Sequence, residues 1–145
     1  MIYISKKTVY TIGIMIATTI TRRQTKYCQA IENLLASLGH ATNSELLVEL
    51  HKLYPDVSAT TVHRATARLA LQGKIAVAPP AKDGSMCYDT NVVPHDHFQC
   101  TSCGTLRDTN VKDSVASILE SSLDDCHISG RLTISGICKQ CKENI

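Results

Sequence analysis

Two Cys-x-x-Cys pairs constrain this chain more than any other feature of its sequence. Cys100 and Cys103 form the first pair, and Cys138 and Cys141 form the second. Together the pairs supply the four thiolates of the tetrahedral site that Zn(II) prefers; a redox dithiol pair and incidental core cysteines are the alternatives. Because a long interval separates the pairs, we predict that a folded domain brings them together around a structural zinc ion.

Composition indicates a small globular protein that folds in a reducing compartment. The chain has 145 residues, a formal net charge of +2, only 4% aromatic residues and an odd number of cysteines, seven. These cysteines are clustered rather than spread, which favours metal binding in the cytoplasm over a secreted disulfide framework. The small net charge restricts any nucleic-acid contact to local patches. Three cysteines outside the pairs are expected to be buried free thiols: Cys28, Cys87 and Cys126.

The apolar run at residues 8–20 is shorter than the roughly 20 residues that span a bilayer. It follows two lysines and so resembles the front of a secretory signal peptide, but no cleavage site of the usual kind follows it. We favour a packed N-terminal segment and expect no membrane association.

Residues 27–73 carry the pattern of three short helices. Apolar residues recur at helical spacing over residues 27–38, and Gly39 then provides a stop. Thr42 and Glu45 have the spacing of a capping box that begins a second helix, which ends before Pro55. Ser58 is placed to cap a third helix that ends near residue 73. Three helices joined by short turns predict a helix-turn-helix arrangement.

The third predicted helix carries a polar and basic face, and a predicted hairpin follows it. Strand-like runs at residues 74–77 and 86–88 flank a turn-rich loop, which completes a winged helix-turn-helix domain over residues 1–87. An ordinary solvated helix face is the alternative to DNA contact. The candidate DNA-binding residues are Thr60, Thr61, His63, Arg64, Arg68 and Lys82.

Residues 88–145 predict a second, small α/β domain. Strand-like runs at residues 96–101, 105–109 and 131–137 surround one helical segment at residues 112–123. Val115, Ile118 and Leu119 give that helix an apolar face. The predicted fold class is therefore α+β, with the winged helix first and the α/β dimerisation domain with its four-cysteine zinc site second.

A second set of candidate metal ligands mixes nitrogen and oxygen donors. His95 and His97 alternate along a predicted strand and so project from the same face, with Asp89 and Asp108 near them in sequence. Such donors suit Fe(II), Mn(II), Co(II) or Zn(II). Ordinary surface residues are the alternative interpretation.

Three motifs together resemble the ferric uptake regulator (Fur) family over about residues 27–141. They are SATTVHRATARLALQGKI at 58–75, HDHFQCTSCG at 95–104 and ISGICKQC at 134–141. The resemblance implies a homodimeric, metal-responsive regulator of transcription, usually a repressor. Its winged helix would bind double-stranded operator DNA, and its C-terminal domain would dimerise and hold the metals.

The resemblance also assigns roles to individual residues. It matches the four paired cysteines to a structural zinc site, and it adds His40, between the first two helices, to the ligands of a regulatory site. The implied regulatory set is His40, Asp89, His95, His97 and Asp108, for Fe(II) or Mn(II), with Zn(II) as the alternative. A metal that joins His40 to the second domain would favour a closed dimer that fits DNA.

Aspartates at positions 89 and 108 make the chain resemble the peroxide-sensing branch of the family, whereas iron-sensing members usually carry glutamates there. In that branch Fe(II) reacts with hydrogen peroxide, a ligand histidine is oxidised irreversibly, and DNA is released; His40 and His95 are the candidates. An iron- or zinc-uptake repressor is the alternative within the family. His63 replaces the family's usual tyrosine, and Pro94 and Val115 replace the ligands of a third metal site.

Two alternative functions do not involve binding to DNA. A metal-dependent enzyme could use the same three histidines and two aspartates, but no nucleophile, phosphate loop or general-base motif accompanies them, so we expect no enzyme. A zinc-stabilised interaction module would lack salt-dependent affinity for duplex DNA.

Overall fold

The computed structural model describes residues 26–144, so the apolar run at residues 8–20 lies outside the described residues. The helices are α1 (Lys26–Leu38), α2 (Asn43–His51), α3 (Ala59–Leu71), α4 (Lys112–Ser122) and α5 (Lys139–Glu143). The strands are β1 (His40–Thr42), β2 (Ala76–Ala78), β3 (Cys87–Asp89), β4 (Asp96–Cys100), β5 (Leu106–Thr109) and β6 (Thr133–Gly136). Helices and strands are thus mixed, as an α+β class requires.

Helices α1, α2 and α3 pack around one aliphatic core. Its fully buried side chains include Ile31, Leu35, Leu46, Leu50, Val62 and Leu69. The predicted capping box is confirmed, because the Thr42 hydroxyl accepts the Glu45 N–H at 3.2 Å and the Glu45 carboxylate accepts the Thr42 N–H at 2.8 Å. Ser58 likewise caps α3 by accepting the Thr61 N–H. These caps fix where α2 and α3 begin.

The first sheet is antiparallel, in the order β1-β3-β2, and forms the wing. Its strand β1 lies between α1 and α2, and the hairpin of β2 and β3 follows α3. The predicted hairpin is present, but β2 begins two residues later than expected. Gly73, at φ +68°, ends α3, and the Lys74 N–H then bonds the Leu69 carbonyl. Because the N–H of Lys74 is occupied by this closing turn, β2 pairs with β3 only from Ala76 onwards.

The second sheet has the order β5-β4-β6, with β4 antiparallel to β5 and parallel to β6. Helix α4 makes the crossover between β5 and β6. Asp96 is fully buried, and its carboxylate accepts the N–H groups of Lys112 at 2.8 Å and Leu132 at 2.9 Å. One carboxylate therefore holds both the start of α4 and the approach to β6.

Strand β3 spans residues 87–89 and pairs with β1 and β2, so it crosses the position where the two predicted domains meet. The domain limits stay a prediction. Cys28 and Cys87 are buried as expected, but the expectation for Cys126 is wrong. Cys126 is exposed because it lies in the loop after α4, where Asp124 and Asp125 take positive φ values of 54° and 59°.

The apolar face of α4 is left uncovered by the described part of the chain. None of the α4 side chains is fully buried, and Ile118 is 69% exposed. Among residues 26–144, none of the helices combines the length and the apolar character of a bilayer-spanning segment.

Candidate metal centres and nucleic-acid interface

The four paired cysteines meet where β4 and β6 end. Their sulfur atoms all lie within 4.8 Å of one another, and the Sγ atoms of Cys103 and Cys138 are 3.9 Å apart. The parallel register pairs Cys100 with Gly136, so the first pair begins at the last residue of β4 and the second follows β6 at the same edge of the sheet. The β4-β6 pairing is therefore how the fold closes the long interval between the pairs.

The protonation of these sulfurs fits a cation at their centre. Cys100 Sγ accepts the N–H groups of Cys103 at 3.5 Å and Cys138 at 3.3 Å, which lowers the pKa of Cys100 to about 6. Contact with Ser102 lowers the pKa of Cys141, but the neighbouring sulfurs outweigh it and raise that pKa to about 11. Four thiolates this close repel one another unless a cation lies among them, and Zn(II) is the ion such a set suits.

A second cluster draws one donor atom from each of five side chains, and those atoms also lie within 4.8 Å of one another. Each sheet contributes a cross-strand pair: His40 lies opposite Asp89 in the wing, and His97 lies opposite Asp108 in the second sheet. His95 joins them from the residue before β4. The five residues that were matched to a regulatory site on resemblance are thus brought together, although the wing strand that carries His40 was not predicted.

The donor atoms of this cluster converge on one point. His40 Nε2 lies 2.9 Å from Asp108 Oδ1 and 3.2 Å from Asp89 Oδ2, while His95 Nε2 lies 3.0 Å from that same Oδ2. His97 Nε2 is 3.0 Å from His95 Nε2. The buried His40 Nε2 makes no hydrogen bond, because its short carboxylate distances lack hydrogen-bond geometry. A cation at the centre would satisfy this nitrogen and both carboxylates at once.

Contacts around the cluster fix the state of its ligands. His95 Nδ1 lies 2.6 Å from the Val93 carbonyl, so Nδ1 carries the proton and Nε2 presents its lone pair to the centre. Burial lowers the pKa of His95, but the Val93 carbonyl, Asp108 and Asp89 outweigh it and raise that pKa. Burial also lowers the pKa of His97, helped by the other two imidazoles.

Two of the polar residues beside the cluster were not singled out by sequence analysis as ligands or supports. Asp96 lies between two histidines of the cluster, yet it points into the fold, as strand alternation requires. Burial raises the pKa of Asp108, but a hydrogen bond from Asn91 and the three imidazoles outweigh it and lower that pKa. Asn91 lies in a loop without any motif, so no sequence pattern pointed to it.

The candidate DNA-binding residues differ in their surroundings. Thr60, His63, Arg64 and Arg68 are exposed on α3. The Thr61 hydroxyl lies 2.9 Å from the Ser58 hydroxyl and so belongs to the cap of α3. Lys82, on the wing loop, donates to the Ser102 carbonyl at 3.0 Å, beside the first cysteine pair. Their contacts with DNA stay a prediction.

Comparison with known proteins gives one family match and several similar proteins. The model of the "Ferric uptake regulator family" matches residues 17–127. The "Peroxide-responsive repressor PerR" of Staphylococcus epidermidis is 30% identical over 112 residues, which cover 76% of this chain and 74% of that protein.

Two solved structures share the fold at low sequence identity. The Helicobacter pylori ferric uptake regulator, described with "three functional metal binding sites", has a TM-score of 0.68 and 18% identity, covering 96% of this chain and 95% of that one. A "Zinc Uptake Regulator Complexed With Zinc AND DNA" has a TM-score of 0.57 and 17% identity, covering 98% of each chain.

The sulfur cluster gives a prediction with an internal control. Replacing Cys100 with serine should abolish zinc binding and destabilise the second sheet, because Cys100 is buried and supplies one of the four sulfurs of the cluster. Cys126→Ser alters an exposed cysteine outside the cluster and should leave both unchanged. Zinc per chain, measured by atomic emission, and thermal unfolding check both variants. Equal zinc content in the two would contradict the assignment.

Proposed function

Because this chain belongs to the ferric uptake regulator family, we propose that it is a metal-dependent repressor of transcription that senses hydrogen peroxide. The observation that carries the proposal is the convergence of three imidazole nitrogens and two carboxylate oxygens, four of them from two separate sheets and the fifth from the residue before β4. Its curated relative in Staphylococcus epidermidis is named as a peroxide-responsive repressor, and that name supports the same proposal independently of the cluster.

The regulatory metal would be Fe(II) or Mn(II), held by His40, Asp89, His95, His97 and Asp108. His40 is the member of this set that lies nearest to α2 in sequence, since the capping residue Thr42 follows it by only two residues. Gly39, at φ +78°, turns the chain from α1 into the strand that carries His40. Ligation of His40 would therefore fix the helical core against the second sheet and favour one orientation of α3.

Bound Fe(II) would supply the activation of hydrogen peroxide beside the imidazole rings. One peroxide oxygen would be added to a ring carbon of His40 or His95 and the other would leave as water, so the two-electron oxidation of the ring balances the reduction of the peroxide. A modified ring is a poorer nitrogen donor, so the connection between the two sheets is lost and α3 no longer keeps its orientation. Zn(II) in the sulfur cluster would have a different role, because four thiolates leave no open position and hold the second sheet in place.

DNA binding would use a homodimer. Helix α4 and the segment after β6 leave Ile118, Leu119 and Ile137 exposed at 69%, 36% and 49%, which is apolar surface for a second copy to cover. A two-fold dimer presents two copies of α3 to two half-sites of duplex DNA. The proposal places the protein in the cytoplasm, where DNA and reduced thiols occur together.

The response to peroxide and the number of turnovers distinguish this function from two others. An iron- or zinc-uptake repressor of the same family would respond to metal concentration but not to peroxide. A metal-dependent enzyme would turn over many substrate molecules, whereas a sensor that oxidises its own ligand reacts about once per chain. The proposal is therefore that the protein is not an enzyme.

A DNA duplex is first selected from a random pool with the Mn(II)-loaded protein. The direct test is then anaerobic binding of the protein to that selected duplex. A brief low dose of hydrogen peroxide should abolish binding of the Fe(II) form and leave the Mn(II) form bound. Mass spectrometry should find one added oxygen on the peptide with His40 or His95. Binding that survives peroxide in the Fe(II) form would identify an uptake repressor, and catalytic consumption of peroxide by unmodified protein would identify an enzyme.

The DNA surface gives a separate prediction. Arg64→Ala should weaken binding to the selected duplex by about 1–3 kcal/mol, since Arg64 is an exposed cation on α3. Lys142→Ala removes the same charge from α5 in the C-terminal part and serves as the matched control. Fluorescence anisotropy at several salt concentrations measures both. Equal affinities, or loss of zinc from Arg64→Ala, would contradict a direct DNA role.

A further inference from the structure

Asn91 touches both carboxylates of the five-residue cluster from the loop between β3 and β4. Its backbone N–H donates to Asp89 Oδ1 at 2.7 Å, and its side-chain amide donates to Asp108 Oδ2 at 3.2 Å. These two acceptors are the oxygens that face away from the imidazoles. The oxygens that face the imidazoles are Asp89 Oδ2 and Asp108 Oδ1.

We propose that Asn91 is a positioning residue that holds Asp108 so that one oxygen is aimed at the regulatory metal; this rests on the proposed function of the cluster. A carboxylate rotates about its bond to Cβ unless a hydrogen bond fixes its plane. Binding Oδ2 to the amide leaves Oδ1 as the atom directed at the histidines. The partners of ligating side chains set metal affinity in this way.

The orientation of the Asn91 amide is itself determined by its neighbours. The Val93 N–H donates to Asn91 Oδ1 at 3.2 Å, so the amide oxygen faces the loop and the NH2 group faces Asp108. The opposite orientation would set an amide oxygen against a carboxylate oxygen and an NH2 group against an N–H. Hydrogen bonding therefore allows a single orientation.

The two aspartates depend on Asn91 to different degrees. The Asp89 side chain is only 2% exposed. It accepts its hydrogen bond from the backbone N–H of residue 91, which any residue except proline would provide. The Asp108 side chain is 39% exposed, so water competes for its oxygens. The side chain of Asn91 is thus needed mainly for Asp108, which predicts coupling between these two positions.

The test measures Mn(II) affinity of the zinc-loaded, full-length protein, using the electron paramagnetic resonance signal of free Mn(II). Asn91→Ala should weaken Mn(II) binding about tenfold, the lower end of the range for lost partners of metal ligands. Asn91→Asp keeps the size but replaces the donor with a carboxylate beside Asp108, and should bind no better than the alanine variant. Asn33→Ala, on α1, removes an exposed amide that accepts a hydrogen bond from Gln29; it is the matched control and should leave the affinity unchanged.

A double-mutant cycle separates positioning from a general structural role. In an Asp108→Ala background, Asn91→Ala should change the Mn(II) affinity by less than twofold, because the carboxylate that it positions is gone. Equal losses with and without Asp108, or an Asn91→Ala affinity within twofold of wild type, would overturn the inference. If Asp108→Ala alone does not weaken Mn(II) binding, the proposed regulatory site fails too, so the two failures are distinguishable. Zinc content and thermal unfolding identify any variant that has misfolded.

Discussion

Asp89 and Asp108 bring two carboxylate oxygens together among three imidazole nitrogens. How firmly the two sheets are held against each other depends on the cation or the protons that these donor atoms share. In the protein alone, one buried nitrogen of His40 has no hydrogen bond, and the imidazoles of His95 and His97 face each other across 3.0 Å. A divalent cation would satisfy all of these atoms, whereas protons would satisfy only some of them. The free energy of metal binding is therefore available to hold the wing against the second sheet.

The sulfur cluster is a separate constraint that makes this arrangement possible. It joins the ends of β4 and β6, while Asp96 holds the starts of α4 and β6 from the same strand. His95 and His97 flank Asp96, so the segment that presents these two histidines to the five-residue cluster is fixed from its other face. A structural metal in the sulfur cluster would thus give a small domain with few aromatic residues a rigid support for a second, regulatory metal.

Much of the fold and part of the candidate site could be predicted because their determinants are local. The Cys-x-x-Cys spacing, the capping box at Thr42 and the alternation of His95 and His97 are all short-range patterns. His40 could be assigned only by resemblance, because β1 has three residues and its place opposite Asp89 depends on pairing with a distant strand. The hydrogen bond of Lys82 to the cysteine turn and the contacts of Asn91 are likewise long-range.

The central claim is that a metal bound by both sheets controls DNA binding, and His40 tests it most directly. His40→Ala leaves the other four residues of the cluster and the whole sulfur cluster in place, but it removes the imidazole that precedes α2. The measurement is affinity for the selected duplex as a function of Mn(II) concentration. The account predicts that Mn(II) strengthens binding by wild type and has no such effect on His40→Ala. An equal response of the two proteins would contradict it.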